Sequence, residues 1–523
     1  MVGSLFTMKS TKHQPSTRLM RTTDDSKPFA KDMKELFATL MVSLKLGPNR
    51  VRLSKIDHTF TIDEASINLG SLKFTQSARM PDPKNPNRII TTTSTTTFSM
   101  GREMARSILV DFMLARLVEP LNGTITHLSK GTVCQMTPKG IATLQIFCNR
   151  NGITAPHVVR VLQSPRNRMT LLTLERAIDT DKVLIDRQTI EVIFRRFAGA
   201  EGPNVRPTSS ESDNNKGDNN NGVTGVKLSR DTRVNGKRYA YTFNGKSALD
   251  WLMDCCTVID DRETTLICEQ FIAHGLVALI QHYDKSQFEK SSSTIADVGS
   301  SSSQFDSSRY SVYAFTSRGL KVCGWTSGSH KNSEDEKASS VVGVPVCGAD
   351  VSNKARLDYI LADPSLRLLF REFLCASFCE ENLSFYCDVS EFINRYTRLQ
   401  HSKGLEHMPK VQETLAAAYS LYNAFLAPGS PCELNIDHTL RNNLASKMTN
   451  ISGDEKNFVT HLAEVVNLFE LAQGSVFKLM ASDSVPKFFR TPKYMAVLQE
   501  HELDPADSSS RSSSPSTASK STV

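Results

Sequence analysis

The chain has 523 residues, of which 39% are hydrophobic and 22% charged, with a net charge of +7. At ~150 residues per domain this is room for about three domains with real cores, and no apolar run approaches the ~20 residues a membrane span requires. The eleven cysteines are scattered without a C-x-x-C pair, which argues against a disulfide scaffold or a zinc ribbon and for a reduced, intracellular protein.

The charge is uneven. Residues 355–500 hold 14 Lys/Arg and 17 Asp/Glu, a balance of −3, so the remainder carries 7 − (−3) = +10. A basic N-terminal part suits an anionic surface or an acidic partner segment. Residues 1–27, with Lys9, Lys12, Arg18 and Arg21 ahead of the first acid at Asp24, read as a disordered basic leader, since no apolar helical face accompanies the charges. Segments 203–226, 285–308, 326–352 and 505–523 are rich in Ser, Asn and Gly. Such composition does not offset the entropy of ordering, so they read as linkers, an insertion and a tail. Ser514-Pro515 in the tail and Thr491-Pro492 are possible proline-directed phosphorylation sites.

Between these lie ordered blocks, and the first two repeat one another. Arg102-Glu103, Phe112 and Leu117-Val118 correspond to Arg262-Glu263, Phe271 and Leu276-Val277, with apolar positions at helical spacing. Val133-Cys-Gln-Met-Thr-Pro-Lys-Gly-Ile141 corresponds to Val312-Tyr-Ala-Phe-Thr-Ser-Arg-Gly-Leu320, alternating as strands do and then predicted to turn at Lys/Arg-Gly. Thr59-Phe60-Thr61 answers Thr242-Phe243-Asn244, each opening a further helix. Helix, helix, β-wing is a winged-helix order, with an insertion near 66–100 in the first copy and a Ser-rich one at 285–308 in the second. Residues 143–202, with Val158, Val159, Leu162, Ile190, Ile193 and Phe194 at helical spacing, read as a helical spacer packing on the first copy.

The second copy (227–325) resembles the DEP domain, on Arg230-Asp231, Phe243-Asn-Gly-Lys-Ser-Ala-Leu-Asp-Trp-Leu252, Gly275-Leu276 and Tyr310 to Phe315. The first (28–142) reads as a degenerate DEP-like winged helix, with Asp63-Glu64 where the second has Gly245-Lys246. The resemblance implies docking to an anionic membrane or to a G-protein-coupled receptor tail. A winged helix also raises DNA binding. The predicted recognition helix 262–277 carries Arg262, Glu263, Glu269 and His274 and is not basic; phosphate neutralisation dominates DNA affinity, so no nucleic acid is expected.

Residues 355–500 read as almost wholly helical. Leu366, Leu369, Phe370, Phe373 and Leu374 follow i, i+3, i+4, i+7, i+8. Leu383 to Ile393, Leu415 to Leu426 and Phe458 to Met480 give three further apolar helices, and Pro428-Gly-Ser-Pro431 firmly ends the one from Leu415 to Leu426. The intervening motifs are Phe378-Cys-Glu-Glu-Asn-Leu-Ser-Phe-Tyr386, Glu433-Leu-Asn-Ile-Asp437, Phe469-Glu-Leu-Ala-Gln473 and Leu479-Met-Ala-Ser-Asp-Ser484. In that order and spacing, 355–495 closely resembles the regulator of G-protein signalling (RGS) domain. Cys379, Tyr386 and Lys487 stand where the family usually has Ser, Trp and Arg. Two DEP copies before an RGS domain look like the fungal RGS proteins of pheromone desensitisation and developmental control.

The fold class implied is mostly α: two winged helices, then an all-α RGS bundle, joined by disordered linkers. The function implied is activation of GTP hydrolysis by a heterotrimeric G-protein α subunit (Gα), damping receptor signalling in the pheromone response or in growth versus asexual development. Such a chain is a regulator rather than an enzyme, needs no cofactor, and works in the cytoplasm at the inner face of the plasma membrane. By the resemblance, Asn435 braces the GTPase and Glu381 and Asn382 meet its switch backbone. Asp437, Asp483, Ser484 and Lys487 complete the surface. Asn and Asp at loop–helix junctions are otherwise caps, and a non-catalytic scaffold that binds Gα or a receptor tail is the alternative function. Cys375, Cys379 and Cys387 lack a nearby His and read as buried thiols rather than metal ligands.

Overall fold

The computed structural model describes residues 21–498 apart from Ser26, 83–84, 123, 200–201, 206–220, 282–303, 326–351, 403, 431, 450–454, 493 and 496–497. Most of the expected leader, linkers, insertion and tail, Ser514 included, thus lies outside the described residues. Their described ends are built into the fold. Arg21 pairs with Asp32 and lies 4.6 Å over the Phe29 ring. Val226 and Phe305 are buried, with Phe305 stacked 4.9 Å from Tyr313. The Trp251 indole N–H donates to the Thr224 carbonyl at 2.9 Å. Residues 221–226 and 304–308 therefore belong to the second winged helix rather than to a linker and an insertion.

The first winged helix begins with α1 (Ala30–Ser43). Its Met33, Leu36, Phe37 and Leu40, at i, i+3, i+4, i+7, are all buried. A hairpin of β1 (Gly47–Val51) and β2 (Ser54–Thr61) follows, then α2 (Ile62–Gly70), opened by a reciprocal capping box between Thr61 and Glu64. The first-copy insertion is a long hairpin, β3 (Leu72–Asp82) with β4 (Asn85–Phe98). The chain continues through α3 (Arg102–Leu114), β5 (Val118–Pro120), β6 (Val133–Met136), α4 (Pro138–Asn151) and α5 (Pro156–Leu162). α6 (Arg187–Ala198) precedes the second winged helix. That comprises β7 (Ser229–Val234), β8 (Lys237–Asn244), α7 (Gly245–Cys255), α8 (Asp261–Ala273), β9 (Val277–Gln281), β10 (Val312–Phe315) and α9 (Ser317–Val322).

The internal repeat is visible in the sheets. Both are antiparallel and share one topology, β1-β2-β6-β5 and β7-β8-β10-β9. The predicted turn at Lys/Arg-Gly is instead the first turn of a helix, capped by Thr137 in α4 and by Thr316 in α9. The glycine recurs for a steric reason. A Cβ on Gly140 would lie 2.0 Å from the Leu117 carbonyl oxygen, and one on Gly319 would lie 2.1 Å from that of Leu276. Only a bare Cα lets these helices seat against the backbone of Leu117 and Leu276, the residues that lead into β5 and β9.

The two winged helices meet along α4 and α7. The buried Lys139 ammonium donates to the carbonyls of Met253 and Val258, both at 2.7 Å. Arg116 pairs with Asp250 at 2.5 Å and Asp254 at 2.9 Å. The expected spacer divides between the two domains. Val158 and Val161 of α5 join the first core. Ile190, Ile193, Phe194 and Phe197 of α6 are buried in the second, with Phe197 edge-on to Phe243 and Trp251 at 5.2 and 5.5 Å. The placement of 143–202 on the first copy is thus corrected at α6, because Phe194 and Phe197 of its apolar stripe pack among Phe243, Trp251, Phe271 and Phe315 of the second.

The C-terminal bundle comprises α10 (Asn353–Ala362), α11 (Pro364–Ala376), α12 (Glu380–His401), α13 (Met408–Leu421), α14 (His438–Thr449), α15 (Glu455–Leu479) and α16 (Val485–Arg490). Its core is Phe370, Phe385, Val389, Phe425, Leu462 and Phe469, all but fully buried. Gln473 locks α15 to α12 through the Tyr386 carbonyl at 2.9 Å and the Ser390 hydroxyl at 2.7 Å. α11 packs on α6, so the bundle and the second winged helix share one continuous apolar core. Ion pairs flank that contact: Arg196 with Glu372, Arg367 with Glu175 and Arg398 with Asp179. Two more, Lys31 with Glu391 and Arg150 with Asp388, tie α12 to the first winged helix.

Candidate functional site: three junctions at one end of the bundle

The first junction joins α11 to α12. α11 ends with the Cys379 N–H reaching back to the Leu374 carbonyl at 3.0 Å, across Phe378 in the left-handed region at φ 54°. Glu380 and Glu381 then occupy the first turn of α12, where carboxylates complement the helix dipole. Burial pushes the Glu381 carboxyl up, its own backbone N–H draws it back, and the neighbouring Glu380 raises it further. Asn382 is buried, and its amide donates to the Cys379 carbonyl and to Glu381, both at 3.2 Å. It holds the turn that presents Glu381.

The second junction runs from a π-helical turn at Tyr422–Leu426 into α14. The Leu434 N–H donates to the Phe425 carbonyl at 2.9 Å, and Arg441 donates to the Leu434 carbonyl at 2.6 Å while pairing with Glu433. The extended segment alternates. Leu434 and Ile436 are buried; Asn435 and Asp437 between and after them are exposed. Asp437 caps α14 by accepting from the Thr439 and Leu440 N–H groups at 2.9 and 3.1 Å. Those backbone bonds, Leu440's foremost, hold its carboxyl below the usual range. No hydrogen bond within the described residues holds the Asn435 amide.

The third junction is a second π-helical turn, Met480–Ser484, leading into α16. Ser484 is buried. Asp483 and Lys487 are exposed and paired at 2.7 Å, one helical turn apart.

Two cysteines show how the junctions converge. The Cys379 thiol is pushed up by burial and by the charges of Glu381 and Asp483; Lys487 and a hydrogen bond with Ser484 oppose this. The first and third junctions therefore touch. Cys432, three residues before Asn435, feels Glu381 and Glu380, which places the second beside the first. All seven expected residues thus gather at one end of the bundle. Five present exposed or partly exposed side chains; Asn382 and Ser484 are inside and support them. Of the three expected buried thiols, Cys379 and Cys387 are half-buried and Cys375 is exposed.

Phe378, outside the expected set, is the most exposed aromatic at this end, at 92%. No sequence signal marks it, since its exposure follows from a left-handed backbone at φ 54°, a helix-ending position where glycine is usual.

The chain matches three family descriptions: a fungal-differentiation regulator winged helix domain over residues 32–164, the domain found in Dishevelled, Egl-10 and Pleckstrin (DEP) over 225–315, and the regulator of G protein signaling domain over 356–497. It is 56% identical over 506 residues to Developmental regulator flbA of Emericella nidulans, covering 96% of this chain and 68% of that one. The chain belongs to the fungal RGS proteins. Regulator of G-protein signaling 1 of Schizosaccharomyces pombe is 26% identical, over 91% of this chain and 92% of its own. Regulator of G-protein signaling 7 of Mus musculus matches over 143 residues at 33%, 27% of this chain and 25% of that one. The first copy carries a winged-helix description of its own rather than the DEP one, and that match extends through α5. RGS proteins activate a GTPase and have no catalytic site of their own, so the RGS domain binds a Gα subunit. Among the described residues no helix is long and apolar enough to cross a membrane.

Proposed function

We propose that the three junctions form the surface that grips GTP-bound Gα and stabilises its switch regions in the transition-state arrangement. Gα already holds an arginine in cis and a glutamine that orients water, and turns over at about 10⁻² s⁻¹ unaided. It lacks rigidity, and a partner that binds the transition state better than the ground state lowers the barrier. Asn435 carries this reading. Its neighbours Leu434 and Ile436 anchor it in the core, while Asn435 itself is exposed and offers an amide, a donor and acceptor without charge, three residues after the Cys432 that feels Glu381. Glu381 and Asn382 would meet the switch backbone. Asp437, the Asp483–Lys487 pair and the Ser484 turn would frame the contact. The chain would thereby damp receptor signalling in a pheromone response or in the choice between growth and asexual development. The winged-helix half would hold it at the cytoplasmic face of the plasma membrane or on a receptor tail.

The test is single-turnover GTP hydrolysis by candidate Gα subunits with the full chain. Wild type should accelerate it, and Asn435→Ala should lose at least about tenfold, ~1.4 kcal/mol, with an unchanged melting temperature. An unchanged rate in that variant would remove Asn435 from the mechanism. Binding of Gα without acceleration by wild type would make the chain a scaffold.

A further inference from the structure

The two winged helices align without a gap from Val51 to Thr61 and from Val234 to Asn244. Their first hairpins share a register, Val51 opposite Ser54 and Val234 opposite Lys237. Each therefore turns on two residues. In the second hairpin these are Asn235-Gly236, both at positive φ (50° and 76°), the pair that a tight hairpin favours. In the first they are Arg52-Leu53. Arg52 takes φ 55° without being glycine, and Leu53 is 100% exposed, the most exposed large apolar residue described. Leu53 packs on nothing, so the fold gives no reason for it. Its surroundings are basic: Lys45, Arg50, Arg52 and Lys55 are all exposed, and no acid occurs between Lys45 and Ile56. The second hairpin exposes Arg230, Arg233, Lys237 and Arg238 against a single acid, Asp231, which Arg238 neutralises at 2.9 Å.

A bare apolar tip ringed by cations matches one environment, the boundary between anionic headgroups and acyl chains. Nucleic acid or an acidic peptide would satisfy the arginines but would leave Leu53 in water. We propose that the β1–β2 tip inserts Leu53 into an anionic bilayer while Arg50, Arg52 and Lys55 sit among the headgroups, and that the β7–β8 hairpin makes a second, purely electrostatic contact. One short apolar insertion binds weakly and reversibly. A second contact on the same chain adds to the first through effective concentration when both reach one bilayer. The inference rests on the reading that the winged-helix half reaches the membrane, and names the residues that touch it.

The experiment is co-sedimentation of the full chain with phosphatidylcholine vesicles, with and without phosphatidylserine. Wild type should pellet only with the anionic vesicles and be released by salt. Leu53→Glu should weaken retention at least tenfold with no change in melting temperature or in acceleration of Gα in solution. Leu53→Trp should keep binding, and its added emission should shift to the blue on vesicles. Excess soluble glycerophosphoserine should not displace the protein. Failure of wild type to bind would overturn both the membrane reading and the insertion. Binding undiminished by Leu53→Glu, an unshifted emission from Leu53→Trp, or displacement by the soluble headgroup would overturn the insertion alone.

Discussion

Lys139 shows how a single residue records the docking of two domains. Burial between the winged helices pushes its ammonium down from 10.5 to about 7, against the pull of Asp254, and Lys34 nearby is pushed to about 8 for the same reason. The unfolded chain keeps those protons up to about 10.4. Between the two values the unfolded state binds more protons, so stability rises with pH through that window and is lowest below about pH 7. The melting temperature of the full chain should climb from below pH 7 to above pH 8, and Lys139→Met should flatten the climb. At this scale the site was legible only through its motifs. Asn435 is an ordinary loop residue until Glu381-Asn382 and Asp483-Ser484 are read with it. Asp437 is both a member of the pattern and a helix cap, and sequence cannot separate those roles. The exposure of Phe378 was not legible, because it depends on the backbone turning left-handed beneath it.

At the scale of elements, the repeat was legible wherever a strand runs into a capped helix: β2 into α2, β8 into α7, β6 into α4 and β10 into α9. The hairpin strands β1 and β7 were not. Their alternation is polar on both faces, with burial patterns that contain no fully buried position, so no period-2 apolar signal arises. α14 escaped for a similar reason, having a thin stripe of Leu440, Leu444 and Met448 in a polar sequence. The conserved geometry at Gly140 is directly testable. Gly140→Ala forces a Cβ into the Leu117 carbonyl and should lower stability by about 2–4 kcal/mol in chemical denaturation. Phe197→Ala, removing a ring fully buried among Phe243, Trp251 and Phe271, should cost about 3–5 kcal/mol.

At the scale of the molecule, the domain order was readable but the shared core was not, since periodicity says that a face is apolar and not which neighbour covers it. α11 has such a face and gives part of it to α6. Arg196, buried and hydrogen-bonded to the Gly222 carbonyl at 2.6 Å, meets Glu372 of α11 at 2.7 Å. Residues 355–500 expressed alone should therefore unfold at a lower denaturant midpoint than the same helices in the full chain, and Glu372→Lys should destabilise the full chain by about 3–5 kcal/mol by stranding a buried guanidinium. Coincident loss of tryptophan and helical signals in the full chain would report the coupling.

α6 also bears on what counts as a domain here. The stretch that matches DEP starts at residue 225, yet the helix that plugs its aromatic socket ends at Ala198. Lifted out as a cassette, that stretch would leave the rings of Phe243, Trp251, Phe271 and Phe315 facing water where Phe194 and Phe197 belong. The unit that folds is larger than the unit that sequence similarity delimits, and during synthesis its plug leaves the ribosome before the socket it fills.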